Sequence, residues 1–232
     1  MMTDVTATVG MPPYEGFLEA VETSLKEKAD AILASFQKRC RAAGVACAAK
    51  TNIGKISDTI IEEAENADLI LMAKKGEHFH LKEGGLIGSV AEVVIRKSGK
   101  PVLVTPESYR EIESMGLAYD GSPSAKKALA LSLSLSEKAQ WPITVLIVNA
   151  DAAKAADLSA QVENMAERGA ANCEVIISSG KEAEEILKFI KEGSVELMAM
   201  GAYGHNRLRE WLLGSTTSTI IQKSPVPVLL IR

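Results

Sequence analysis

Short apolar runs, each closed by a polar or turn residue, alternate along the second part of the chain with longer mixed segments. Residues 112–119, 143–149, 173–177, 196–200 and 226–231 form such runs and predict strands. Residues 159–167, 183–192 and 216–223 lie between them with helical composition and length. Residues 125–139 are the ambiguous case, because Leu129, Leu131, Leu133 and Leu135 alternate as they would in a strand. Pro123 near a start signal, the Ala, Leu and Lys content and the length of the segment predict a helix there instead. Strands alternating with helices of these lengths imply a parallel, doubly wound sheet. Its ligand crevice is expected at the carboxyl ends of the strands.

The pattern occurs twice. Asp68-Leu-Ile-Leu-Met-Ala-Lys-Lys-Gly76 aligns with Glu196-Leu-Met-Ala-Met-Gly-Ala-Tyr-Gly204, and Gly88-Ser89 with Gly214-Ser215. The endings Arg96-Lys-Ser-Gly-Lys-Pro-Val-Leu-Val104 and Gln222-Lys-Ser-Pro-Val-Pro-Val-Leu-Leu230 also correspond. A duplicated unit follows, with a boundary near residues 108–110 and domains at 1–108 and 109–232. The first copy starts differently. Residues 5–9 match the second strand of the later copy and run straight into a long helix over 14–43, so an initial strand and helix are missing.

Composition narrows the function classes. The chain has 232 residues, 47% of them hydrophobic, which is enough for a real core. Its 26 basic and 30 acidic residues are interspersed, so there is no basic footprint for nucleic acid or an anionic membrane. The longest apolar stretches, such as 143–148, fall far short of the roughly 20 residues a spanning helix needs. The amino terminus lacks a signal-peptide pattern, and a cytoplasmic location is expected. Cys40, Cys47 and Cys173 show no CxxC spacing and read as small buried hydrophobes of a reducing compartment, rather than as a zinc or disulfide pairing of Cys40 with Cys47.

The chemistry concentrates in Gly201-Ala-Tyr-Gly204, nine residues from His205 to Leu213, and Gly214-Ser-Thr-Thr217 opening a helix. Glycines after a strand let the backbone approach a bound group, and a helix start offers unpaired amides at the positive end of the dipole. Ser215, Thr216 and Thr217 can add hydroxyl donors, or can simply cap the helix. Asp120, in Leu117-Ala-Tyr-Asp-Gly-Ser122, ends the first strand of this half and faces the same crevice. Its carboxylate can accept from a sugar hydroxyl or an adenine amine, or serve an Asp-Gly turn and helix cap.

These residues resemble the universal stress protein family, whose ATP-binding members carry G-x2-G-x9-G-[S/T] and an Asp on the first strand. Gly201, Gly204, Gly214 and Ser215 match that spacing without a gap. The resemblance implies two tandem doubly wound parallel-sheet domains, adenine nucleotide alpha-hydrolase-like and Rossmann-like, with one ATP site in the second half. By the same resemblance Ala118, Tyr119 and Asp120 meet the nucleoside, and the backbone at Asn149, a position commonly apolar in the family, meets the adenine. Met200, Gly201, Tyr203, Gly204, His205, Gly214, Ser215, Thr216 and Thr217 wrap the phosphates, with or without magnesium. The resemblance also implies antiparallel pairing of the two last strands, 101–105 against 227–231, and allows a homodimer.

In the first half Ala73 replaces the first glycine and eleven residues rather than nine separate Gly76 from Gly88, which argues against a second ATP site. His78 and His80, with Glu77 or Glu83, are read as exposed loop residues rather than metal ligands, and no metal site is assigned. Arg207 and Arg209 accompany His205 in the phosphate loop or on a solvated helix face with Leu208, Trp211 and Leu212. No catalytic residue stands out, because Glu210 is the one acid in the loop, and no P-loop is present. The leading expectation is a nucleotide-responsive regulatory binding module. The alternatives are a slow ATP hydrolase or phosphotransferase, which needs a base or metal-anchoring carboxylate, and a nucleotide-free scaffold.

Overall fold

A computed structural model describes residues 14–74, 89–168, 173–193, 195–202 and 214–232. Two compact units emerge, Met1–Ile53 and Gly54–Arg232. The expected strand at 5–9 lies outside the described residues.

In the first unit, helix α1 (Tyr14–Ala42) ends at Gly44, whose φ of +68° suits a residue without a side chain. The Val45 amide donates to the Cys40 carbonyl at 2.9 Å and the Gly44 amide to the Arg41 carbonyl at 3.2 Å. This pair of bonds reverses the chain and satisfies carbonyls that the helix end would otherwise leave open. Phe17, Leu25, Ile32 and Phe36 are exposed along α1.

The second unit is an α/β sandwich. Helix α2 (Ile56–Glu63) runs into a short 3-10 turn at Ala64–Asn66. Strand β1 (Ile70–Ala73), helix α3 (Ser89–Lys97) and strand β2 (Val102–Thr105) complete the first copy's share. The second copy supplies β3 (Met115–Ala118), α4 (Pro123–Ala139), β4 (Ile143–Val148), α5 (Ala152–Arg168) and β5 (Cys173–Ser178). It continues through α6 (Glu182–Glu192), β6 (Leu197–Gly201), α7 (Ser215–Lys223) and β7 (Val228–Ile231). The seven strands form one sheet in the order β1-β2-β7-β6-β3-β4-β5, parallel throughout except where β2 meets β7 antiparallel, with Leu103 opposite Leu229. Among the described residues the first copy thus gives the sheet two strands and the second gives five.

Segment 125–139 is helical despite its alternating leucines. Leu129 and Leu133 are buried against the sheet, and Ser122 starts the helix by accepting from the Ala125 amide at 3.2 Å, one residue before Pro123. Two strand expectations shorten. The ladder of β3 begins at Met115 rather than 112, because the Glu113 amide turns aside to the Glu196 carboxylate at 2.6 Å. Ladder pairing of β7 begins at Val228, after Pro225 and Pro227. Helix α5 starts seven residues before the expected 159, as Asp151 Oδ1 accepts from the amides of Ala153 at 3.0 Å and Lys154 at 3.2 Å.

Both faces of the sheet are covered. Leu117, Val145, Ile147 and Ala199 pack under Leu129 of α4 and Val162 of α5. On the other face Met198, Val104 and Leu230 pack under Phe189 of α6, Ile220 of α7 and Val94 of α3. Gly116 in β3 is small because a side chain there would meet Phe189 Cε1 at 2.7 Å. Lys74, just past β1, donates to the Gln222 carbonyl of α7 at 3.3 Å, a cation against a helix C-terminus.

Candidate functional site

From β5 the chain crosses back over β4 and β3 to lay β6 on the far side of β3. Strand order reverses between β3 and β6, and in a doubly wound sheet the crevice opens beyond the carboxyl ends of that pair. Ala118 stands opposite Met200 in their parallel register, so the residues that follow each leave the sheet side by side. One exit is Tyr119-Asp120-Gly121-Ser122 and the other is Gly201-Ala202.

The first exit is a tight turn. Asp120 is exposed, and its Oδ1 accepts from the Ser122 amide at 3.0 Å. Gly121 has φ +76°, and a side chain on it would strike Leu158 Cδ2 at 2.5 Å. Ser122 is buried, with its hydroxyl 3.1 Å from that of Ser124. Tyr119 turns away from the crevice: its ring is buried with α4 and α5, and its hydroxyl donates to Gln161 Oε1 at 3.2 Å. Burial pushes the Tyr119 phenol up, and the Asp120 carboxylate adds to that shift.

The second exit joins α7. A side chain at Gly201 would meet Ser124 Oγ at 2.6 Å and the Ala125 nitrogen at 2.9 Å, so the first turn of α4 accounts for this glycine by packing. The Ala202 amide donates to the Ile231 carbonyl at 2.8 Å, and its own carbonyl accepts from Thr217 Oγ1 at 3.4 Å. Met200 is buried in the core on the α6 and α7 side. Gly214 is the N-cap of α7 with an ordinary φ of −56° and no side-chain cap. Among the described residues, the nearest atom to a side chain at Gly214 would be Thr217 Oγ1 at 3.8 Å. Among the described residues, neither backbone conformation nor packing therefore requires glycine at 214.

The hydroxyls that follow do not cap α7. Thr217 is buried and holds Ala202, whereas Thr216 Oγ1 donates to Glu182 Oε2 at 3.1 Å, and Ser215 is exposed. Since the Ser218 amide donates to the Gly214 carbonyl at 2.9 Å, the amides of 215–217 precede the first intrahelical bond. Their partial positive charge faces outward at an exposed helix start. Glu182, at the start of α6, is the acid that the loop's own sequence did not disclose; 34 residues separate it from Thr216.

Asn149 follows directly on β4, next to this crevice. Its amide is committed to the Ser178 carbonyl at 2.9 Å, and its Oδ1 accepts from the Asp151 amide at 2.9 Å. The structure thus gathers Ala118, Asp120, Gly201, Gly214 and Ser215–Thr217 around the switch point, and it sends the side chains of Tyr119 and Met200 into the two cores. Tyr203, Gly204, His205, Arg207, Arg209 and Glu210 lie outside the described residues, as do His78, His80, Glu77 and Glu83. Among the described residues no group of three His, Cys, Asp or Glu side chains is placed to hold a metal.

The universal stress protein family profile matches residues 4–106 and again 111–232, nearly the whole chain. The chain belongs to the universal stress protein family. It carries the Usp domain twice in tandem. A universal stress protein of Synechocystis is 31% identical over 210 residues, spanning 89% of this chain and 72% of the relative. The universal stress protein YxiE of Bacillus subtilis is 29% identical over 145 residues, 51% of this chain and 97% of its own length. Among solved structures, a universal stress protein from Archaeoglobus fulgidus superposes with a TM-score of 0.75 at 25% identity, covering 98% of this chain and 81% of that one. No helix among the described residues is long and apolar enough to cross a membrane.

Proposed function

We propose that this universal stress protein is a nucleotide-responsive regulatory module that binds one ATP at the switch point of its second half. The observation that carries the reading is Gly214, an exposed glycine at a helix start for which the described fold has no use of its own. Absence of a side chain lets a phosphate reach the amides of 215–217, which a helix N-terminus makes favourable for anions. Asp120, exposed where β3 ends, is the acceptor for the nucleoside hydroxyls or amine. The Asn149 amide is already used within the sheet, so its carbonyl or side-chain amide is what adenine would meet. Where magnesium accompanies the phosphates, the Glu182 carboxylate and Thr216 hydroxyl are hard oxygen donors of the kind that ion takes. Glu182 also keeps slow hydrolysis as a second reading, since it supplies a carboxylate beside the helix start. A cytoplasmic setting and association into homodimers complete the proposal.

Calorimetric titration with ATP tests it on the intact chain and on Gly214→Val and Asp120→Ala, each checked for folding by circular dichroism. The expected result is about one ATP per chain, with affinity reduced at least tenfold by Gly214→Val, the equivalent of ~1.4 kcal/mol. An intact protein that takes up no ATP overturns the reading and leaves the scaffold role in front.

A further inference from the structure

The three cysteines are not equivalent. The Cys173 thiol is pushed up to about 11 by burial, then by Glu163 and Glu174, which leaves it poorly reactive. Cys40 and Cys47 sit in the first unit, partly buried, where the chain reverses at the end of α1. The two bonds of the Gly44 turn tie Gly44 and Val45 to the carbonyls of Arg41 and Cys40 in the last turn of α1. Within 41–50 every residue is exposed except Cys47 and Ala49, the alternate positions facing back. On α1 the partly buried residues Ala29, Leu33, Gln37 and Cys40 share one face, at spacings of four, four and three. The Val45 amide, two residues before Cys47, is held on the Cys40 carbonyl at 2.9 Å, which brings the partly buried Cys47 thiol to the neighbourhood of Cys40.

We propose that Cys40 and Cys47 form a reversible intramolecular disulfide driven by hydroperoxides, a modification site that staples the returning segment to the end of α1. Partial burial, and then the neighbouring Cys40, pushes the Cys47 thiol up, which suits Cys47 to the resolving role in the proposed exchange. The Cys40 thiolate attacks the peroxide oxygen; the S–O bond forms, the O–O bond breaks, sulfur is oxidised by two electrons and one hydroxide leaves as water. The Cys47 sulfur then attacks the Cys40 sulfenic acid, the S–S bond forms, the S–O bond breaks, and the departing hydroxyl takes the Cys47 proton as a second water. In sum, two thiols and one peroxide give one disulfide and two waters. A dithiol reductant reverses the product by exchange.

The test uses the full chain treated with hydrogen peroxide, then alkylated and weighed, natively and in urea. Oxidation of the native protein is expected to remove about 2 mass units, the two thiol hydrogens, while Cys173 remains alkylatable. Because Arg39, Arg41 and Lys50 bracket the pair, trypsin should release Cys40-Arg41 linked to residues 42–50, and dithiothreitol should separate them. The Cys47→Ser variant should instead accumulate a sulfenic acid at Cys40 that dimedone traps. Formation at least tenfold faster in the native chain than in urea is expected from the preformed proximity. An unchanged native mass, a bridge to Cys173, or equal rates in both states overturns the proposal.

Discussion

Two glycines of one sequence motif carry different kinds of necessity, and substitution separates them. At Gly201 a methyl group would run into backbone atoms of the first turn of α4, which cannot swing aside as a long side chain can. Overpacking of that kind costs about 1–3 kcal/mol. At Gly214 the methyl would make an ordinary contact with Thr217 Oγ1 at 3.8 Å among the described residues, and the cost is the weaker capping of alanine relative to glycine, below ~1 kcal/mol. Urea unfolding should therefore place Gly201→Ala clearly below the parent and Gly214→Ala close to it. Equal losses at the two positions would mean that packing governs both, and Gly214 would then no longer mark a phosphate site.

Helix α5 shows what an element owes to one carboxylate. Asp151 is exposed, yet the backbone amide of Lys154 first, then that of Ala153 and the Lys154 ammonium, hold its carboxyl below the usual carboxylate range. A depressed folded pKa stabilises the fold above the unfolded value near ~4 and loses that contribution as pH falls through the lower folded value. Asp151→Ala should lower the melting temperature at pH 7, and the gap to the parent should close as the pH is taken below about 4. A gap unchanged down to pH 2 would assign the loss to packing instead. Residues 152–156 are alanine-rich without an apolar stripe, so the sequence pattern marks this helix only from 159; its true start signal is the acid at Asp151. Apolar spacing misleads at α4, where leucines at alternate positions mimic a strand although only Leu129 and Leu133, one helical turn apart, are buried, and Ser122-Pro123 decides for helix. The switch-point exits were legible because Asp120-Gly121 and Gly201 lie within a few residues of their strands. Glu182 beside Thr216 was not, since only the packing of α6 along α7 makes them neighbours.

At the level of the whole sheet, the described strands of both copies belong to one seven-stranded sheet, which predicts that they unfold together. Strand β7 is paired on one side with β6 of its own copy and on the other, antiparallel, with β2 of the first copy. Leu230 lies in this seam, buried and opposite Val102, so truncation removes contacts that belong to both copies. Leu71 occupies the repeat position of Ala199, which is fully buried in the cluster that α4 joins, yet Leu71 is 66% exposed and no counterpart of α4 covers it among the described residues. Leu230→Ala should cost about 2–5 kcal/mol, as large-to-small changes in a packed core do. Leu71→Ala should stay within ~0.5 kcal/mol, as befits a side chain that folding barely covers. Hydrogen exchange gives the sharper test. If the sheet opens as one cooperative unit, Leu230→Ala must speed exchange of the Leu103 and Val104 amides of β2 as much as that of the Ala199 and Met200 amides of β6. Acceleration confined to β6 and β7 would show that the first copy's strands hold independently of the seam, and that the antiparallel pairing joins two folding units instead of making one.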